Sequence, residues 1–199
     1  MKKILTALVV ATGLLLTGCS NVDAAVTMGD TKITTAELQA TTELILAERS
    51  KVDTSQMQLE SGEALTRSQL SYMISNVIIA ELAKDQKIEI TTSELESYKA
   101  QIFANIGGEA NLPSVLVNAS IPSSGLDDVL RRDLVLRKIS EKETAAGADE
   151  ASVNEKIQAL VTDKANALKV TVNPRYGTWD AKTLTVVATE PAGDAVTDK

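Results

Sequence analysis

Apolar residues recur every three or four positions along most of the chain, and this spacing predicts a mainly α-helical fold. The longest such pattern, over residues 63–85, is apolar on several sides and predicts a helix at the centre of the domain. Two capping boxes, Thr34-x-x-Glu37 and Thr91-x-x-Glu94, each predict the start of a helix. The remaining helices are predicted over residues 34–50, 91–106, 112–119, 126–144 and 149–168.

Short alternating segments near both ends predict a small β element. Gly29-Asp30 is a turn pair between apolar residues, which predicts a hairpin. Residues 168–173 alternate between apolar and polar, as in a half-buried strand, and residues 184–187 predict another short strand. We expect the strand near Val26 to pair with the strand near Val170, so that the two ends of the chain close the domain.

The N-terminus has the pattern of a secretion signal. Two lysines precede an apolar run over residues 4–16, which is shorter than the roughly 20 residues that a membrane-spanning helix needs. Leu16, Thr17 and Gly18 then precede Cys19, and this order resembles the lipobox of bacterial lipoproteins. The resemblance implies cleavage after Gly18 and acylation of Cys19, with a diacylglyceryl group on its sulfur and palmitate-type chains.

These signals divide the chain into four predicted parts. Residues 1–18 are the lipoprotein signal peptide, 19–25 the lipidated tether, 26–188 the helical domain and 189–199 a disordered tail. We expect the mature protein to lie outside the cytoplasm, anchored to the outer face of the cell membrane. In a Gram-negative cell, Ser20 after the cysteine would permit sorting to the outer membrane instead.

Composition narrows the classes of function. The chain has 20 Lys and Arg, 27 Asp and Glu, and no histidine. No basic cluster is present to neutralise phosphates, so we expect no nucleic-acid partner. The absence of histidine excludes Ser-His-Asp and Cys-His mechanisms and histidine-ligated metals. We therefore expect a non-enzyme without catalytic residues, metal or cofactor, and a carboxylate-dependent hydrolase stays as a minor alternative.

The predicted domain opens with Val26-Thr27-Met28-Gly29-Asp30 and Ile33-Thr34-Thr35-Ala36-Glu37-Leu38, and it closes with Val172-Asn173-Pro174-Arg175-Tyr176-Gly177-Thr178-Trp179. These two ends resemble those of the SurA and PrsA chaperone family, in particular actinobacterial lipoproteins with a SurA N-terminal-type domain. The N-terminal likeness begins at Val26-Thr27-Met28-Gly29-Asp30, although Met28 stands where asparagine is usual. The resemblance implies structural roles for the motif residues Gly29, Ile33, Thr34, Glu37, Asn173, Pro174, Arg175, Tyr176, Gly177 and Trp179.

The resemblance also implies a function, namely a helical chaperone module that binds unfolded or partly folded secreted proteins. The parvulin isomerase domain found in many members has no room in this chain, and its usual histidines are absent. Clients would bury apolar side chains in a groove between helices, for which we select Met57, Tyr72, Met73, Tyr98 and Phe103. Each of these residues has the alternative interpretation of an ordinary core residue.

The alternative function is an envelope lipoprotein that docks one specific protein as a structural or assembly factor. The sequence leaves the oligomeric state open.

Overall fold

A computed structural model describes residues 23–189 of the chain. The predicted signal peptide, the lipobox, Cys19 and the tail from residue 190 onward lie outside the described residues. The mainly α prediction is confirmed, with these elements in chain order: β1 (Ala24–Met28), β2 (Thr31–Thr34), α1 (Thr35–Arg49), α2 (Gly62–Asp85), α3 (Thr92–Asn105), α4 (Leu112–Asn118), α5 (Leu126–Ala145), α6 (Glu150–Ala167), β3 (Thr171–Val172), β4 (Thr178–Asp180) and β5 (Thr185–Val187).

Helix α2 lies at the centre of the domain, as predicted. It packs against α1, α5, α6 and β5, so that its apolar side chains are covered from several directions. Its fully or almost fully buried apolar residues are Leu65, Leu70, Ile74, Ile78, Ile79 and Leu82. Most of these join Val135 and Ile139 of α5 and Val161 and Ala165 of α6 in the main core. Removing this apolar surface from water is the main force that holds the helices together.

The two ends of the chain meet in an antiparallel sheet with the strand order β2-β1-β3. Val26 on β1 lies opposite Ile33 on one side and Val172 on the other, so the predicted pairing of the N-terminal and C-terminal strands is confirmed. Strand β3 is shorter than the predicted 168–173. Leu168 instead ends α6, and Lys169 takes a φ of +51°, which is incompatible with an extended strand.

A second, two-stranded sheet was only half predicted. The strand expected near residues 184–187 is β5, but its partner β4 was not predicted, and the two pair antiparallel with Trp179 opposite Val186. The buried Ser71 hydroxyl on α2 accepts a 2.8 Å hydrogen bond from the Val186 amide. This bond fastens the C-terminal hairpin to the central helix.

Local sequence signals set the helix ends. In α1, the Thr34 hydroxyl accepts from the Glu37 amide at 3.1 Å while the Glu37 carboxylate accepts from the Thr34 amide at 2.7 Å, so the capping box is confirmed. The same reciprocal pair begins α3. Helix α3 ends before Gly107 and Gly108, whose φ values of +80° and +110° favour glycine.

Candidate functional site

The five residues selected as client-binding candidates lie in different surroundings, and client binding at these residues stays a prediction. Met73 packs against the main core, and Tyr98 packs against a second core cluster between α3 and α5. Tyr72 donates a hydrogen bond to a backbone carbonyl. Met57, in the connection between α1 and α2, and Phe103, on α3, are both partly exposed. Because α2 is covered on several sides, its apolar residues serve the core rather than an open surface.

Tyr72 has a structural role in the turn before α5. Its hydroxyl donates a 3.0 Å hydrogen bond to the carbonyl of Gly125, and a Cβ at Gly125 would overlap that hydroxyl. Burial raises the pKa of the Tyr72 phenol, so it stays protonated and keeps donating. The adjoining cavity of about 350 Å³ is lined mainly by polar side chains, including Gln58, Ser68 and Asn118. It is poorly suited to an apolar client segment.

Tyr98 borders a second cavity, of about 380 Å³, between α3 and α5. The Arg137 guanidinium lies over its ring, 5.0 Å from the centroid. Lys138 pairs with Glu94 at 2.6 Å in the same cavity, and this contact, together with the Thr91 cap, lowers the pKa of Glu94 to about 2. Charged and hydrogen-bonding groups therefore dominate this cavity, which also does not favour apolar side chains.

A groove with a mainly apolar lining lies between the end of α1 and α4, and it encloses about 340 Å³. The groove is lined by the apolar residues Val52, Leu112, Pro113, Leu116 and Val117 and by the polar residues Glu48, Lys51 and Ser123. We call this feature the α4 groove. The sequence analysis predicted α4 but selected none of these residues.

A sequence signal for the α4 groove does exist. Helix α4 is only seven residues long, yet Leu112, Pro113, Val115, Leu116 and Val117 make it apolar on more than one side. A single buried face cannot cover all of them. The structure buries Leu116 and Val117, whereas Leu112 is only partly buried and Pro113 is exposed. An excess of apolar residues on a short helix is therefore the pattern that indicates an exposed apolar surface.

Polar contacts hold the segment after α4 against α1 and α2. The Glu48 carboxylate accepts from the amide of Ser123 at 3.1 Å and from its hydroxyl. Arg49 donates to the Ser120 hydroxyl at 2.8 Å, and the Gln69 side-chain amide, which is 1 % exposed, donates to the Ser120 carbonyl at 2.8 Å. These bonds join three segments of the chain around the α4 groove, so its walls are set before any ligand arrives.

The α4 groove has the size and chemistry to bury aliphatic side chains. Pockets of about 300–1,000 Å³ with a mostly apolar lining are typical of binding sites. Two buried Leu-sized side chains would contribute about 3–6 kcal/mol before the cost of ordering the ligand. Binding of an extended segment at this groove would therefore be weak and reversible.

The C-terminal motif residues lie in a turn that closes the chain onto β1. The Asn173 amide donates to the carbonyl of Ala25 at 2.9 Å, and its side-chain amide donates to the carbonyl of Ala24 at 3.1 Å. The Asn173 carbonyl accepts from Tyr176 at 2.9 Å, and the Pro174 carbonyl accepts from Gly177 at 3.3 Å. These bonds fix the turn against the first residues of β1.

The other motif residues fill structural positions as well. Gly29 has a φ of +54°, and its amide donates to the carbonyl of Leu168 at 2.7 Å. Ile33 is buried in the main core, and Trp179 packs against the same core. Gly177 has a φ of +128° and lies so close to β5 that a Cβ there would overlap a backbone carbonyl.

The described part of the chain lacks two further features. Among residues 23–189, no group of three or more Cys, Asp or Glu side chains is arranged to hold a metal ion. No helix in the same residues is both long and apolar enough to span a bilayer.

Comparison with known proteins identifies the family. The model of the SurA-like N-terminal domain matches residues 1–140, which is more than two thirds of the chain. Comparison with curated proteins gave no match, and comparison with solved structures gave none either. The matched region includes β1, β2, α1–α4, most of α5 and every residue that lines the α4 groove. The chain therefore belongs to the SurA-like N-terminal domain family, a chaperone-type module.

Proposed function

We propose that this protein is an extracytoplasmic, membrane-tethered chaperone of the holdase type, which binds unfolded secreted proteins and has no isomerase activity. The observation that carries the proposal is the preformed α4 groove on a helical module of a chaperone-type family. An extended client segment would place aliphatic side chains against Leu112 and Leu116 and be shielded there from other unfolded chains.

The proposed location rests on the N-terminal sequence. A signal peptide would direct the chain across the cytoplasmic membrane, and acylation of Cys19 would hold it at the bilayer surface. Since Cys19 is the only cysteine, an intramolecular disulfide has no part in the fold. The clients would be proteins that have just crossed the same membrane.

The proposed lack of isomerase activity rests on the residues that follow α5. In the described chain this region consists of α6 and the short strands β3–β5, which complete the main core and the two small sheets. The whole sequence contains no histidine. A prolyl-peptide isomerisation assay on a model peptide should therefore give the uncatalysed rate.

The test is suppression of aggregation. Residues 20–199 would be mixed in molar excess with each of two unrelated unfolded proteins, and light scattering would be followed over time. We expect suppression with both clients. The double variant Val52→Ser/Leu112→Ser removes apolar surface from the α4 groove and should lose most of this effect.

A matched control separates the groove from apolar surface in general. Leu46 and Val115 are 49 % and 40 % exposed and do not line the α4 groove. The double variant Leu46→Ser/Val115→Ser should suppress aggregation as well as the unaltered protein does. If the folded protein suppresses aggregation of neither client, the holdase proposal is contradicted. If it binds one protein only, the alternative of a lipoprotein that docks one specific partner is favoured.

A further inference from the structure

The C-terminal turn lies next to the point where the described chain begins. Asn173 bonds to the carbonyls of both Ala24 and Ala25, at 3.1 and 2.9 Å, so the turn over residues 173–177 is fixed against the start of β1. Helix α1 begins at the same end of the sheet, where the Thr35 amide donates to the carbonyl of Asp23 at 2.7 Å. We call this end of the domain the tether end.

The distance from the lipidation position to the tether end is short. Cys19 precedes Asp23 by four residues, and even a fully extended chain of that length spans only about 14 Å. If the Cys19 acyl chains are in the bilayer, the tether end must therefore lie close to the lipid headgroups. This step rests on the lipidation included in the proposed function.

We propose that the turn over residues 174–176 faces the bilayer and that Arg175 binds phosphate groups of the phospholipids. Arg175 is exposed, and its guanidinium lies 5.1 Å from the centroid of the Tyr176 ring. Among residues 23–189 it makes no ion pair within 4.0 Å. A stacked guanidinium keeps its N–H donors in one plane, which suits bidentate contact with a phosphate. Tyrosine is likewise favoured at the level of the headgroups.

The other charged groups at the tether end are engaged in contacts within the domain. Asp23 and Lys32 form an ion pair at 2.8 Å, and the Glu37 carboxylate accepts from the amide and hydroxyl of Thr34. Glu43, which borders the same small cavity as Arg175, accepts a 2.7 Å hydrogen bond from the Gln39 side-chain amide. The chain as a whole has a net charge of −7, so most of its surface is repelled by anionic lipids. Arg175 is thus the group at this end best placed to attract them.

This orientation limits how far from the membrane a client can be held. Helix α1 has 15 residues and spans about 22 Å from the tether end to the α4 groove. With the tether fully extended, the groove lies less than about 40 Å from the headgroups. A client would accordingly be captured while it is still close to the bilayer that it has crossed.

The test uses the full chain, purified in its lipidated form and placed in vesicles of phosphatidylcholine with phosphatidylglycerol. Acylation occupies the Cys19 sulfur, so an introduced cysteine supplies the single reactive thiol. A fluorophore at Thr178→Cys reports on the tether end, and one at Val115→Cys reports on α4. Both residues are exposed. Nitroxide groups on the lipid headgroups should quench the first label at least about threefold more than the second, given the short tether.

The contribution of Arg175 is measured in the Thr178→Cys background. Arg175→Gln should lower the ratio of quenched to unquenched label about fivefold in vesicles with phosphatidylglycerol, as expected for one arginine at a charged surface. Arg137→Gln is the matched control, because Arg137 also lies over a tyrosine ring but on α5. It should leave the quenching unchanged.

The outcomes separate this inference from the proposed function. Mass spectrometry of the N-terminal peptide first shows whether Cys19 is acylated, and an unmodified cysteine would overturn both the tethering and this orientation. With acylation present, equal quenching at the two labels would overturn the orientation alone. Unequal quenching that Arg175→Gln does not change would overturn the phosphate contact.

Discussion

One buried hydroxyl bonds the C-terminal hairpin to α2, which makes Ser71→Ala an informative change. The Ser71 hydroxyl accepts from the Val186 amide at 2.8 Å and donates to the carbonyl of Arg67 at 2.8 Å. Val186 is 6 % exposed and belongs to the main core. Without the hydroxyl, its amide has no acceptor in this packing and little access to water.

The magnitude follows from these contacts. A buried amide left without a partner costs about 1–3 kcal/mol. Alanine in place of serine in a helix returns about 0.5 kcal/mol. We therefore expect Ser71→Ala to lower the free energy of unfolding by about 0.5–2.5 kcal/mol and the melting temperature by about 1–10 °C.

The assay is equilibrium denaturation, combined with hydrogen exchange of the Val186 amide. The matched control is Ser68→Ala, because Ser68 lies on the same helix and its hydroxyl makes no hydrogen bond within the described residues. The control should be neutral or slightly stabilising. If the two variants have the same stability and the Val186 amide stays equally protected, the hydroxyl does not hold the hairpin.

Three further predictions concern individual residues. Gly177→Ala should lower the melting temperature of the domain, because φ is +128° there and a Cβ would overlap a carbonyl of β5. An unchanged melting temperature in thermal denaturation beside the unaltered protein would contradict this reasoning. Thr34→Ala removes half of a capping box and should lower the free energy of unfolding by about 1 kcal/mol in urea, whereas an unchanged midpoint would contradict the cap. The contact with Lys138 and the cap at Thr91 lower the pKa of Glu94 from 4.5 to about 2, so the ionised carboxylate stabilises the fold above about pH 4.5 and this contribution disappears as the pH falls toward 2. An NMR titration should find the midpoint near 2 and Lys138→Gln should raise it, while a midpoint near 4.5 in the unaltered protein would refute the contact.

Local signals were sufficient to predict the helices. Capping boxes at Thr34 and Thr91, the glycine pair after α3 and the Asp149 cap of α6 all act within a few residues, so the sequence around each helix end determines it. The pairing of β1 with β3 was predictable for another reason. Both segments alternate apolar and polar residues, and they lie at the two ends of an otherwise helical domain.

Features that depend on distant contacts were not predictable in the same way. Strand β4 has only three residues and pairs with β5 while Ser71 of α2 holds the other side of β5, and no local pattern encodes that arrangement. The five candidate client-binding residues were selected for their chemistry alone. Which apolar residues remain open depends on how the helices pack, so Met73 packs against the main core while Leu112 lines the α4 groove.

The central claim is that the α4 groove holds unfolded clients, and site-specific photo-crosslinking tests it most directly. A photoreactive amino acid would replace Val52, which lines the groove, or Leu46, which is exposed outside it. Each variant would be irradiated with an unfolded client and with the same client in its native state. We predict crosslinks from position 52 to the unfolded client, few to the native one, and few from position 46 to either. Absence of crosslinks from position 52, or equal crosslinking from position 46, would contradict the claim.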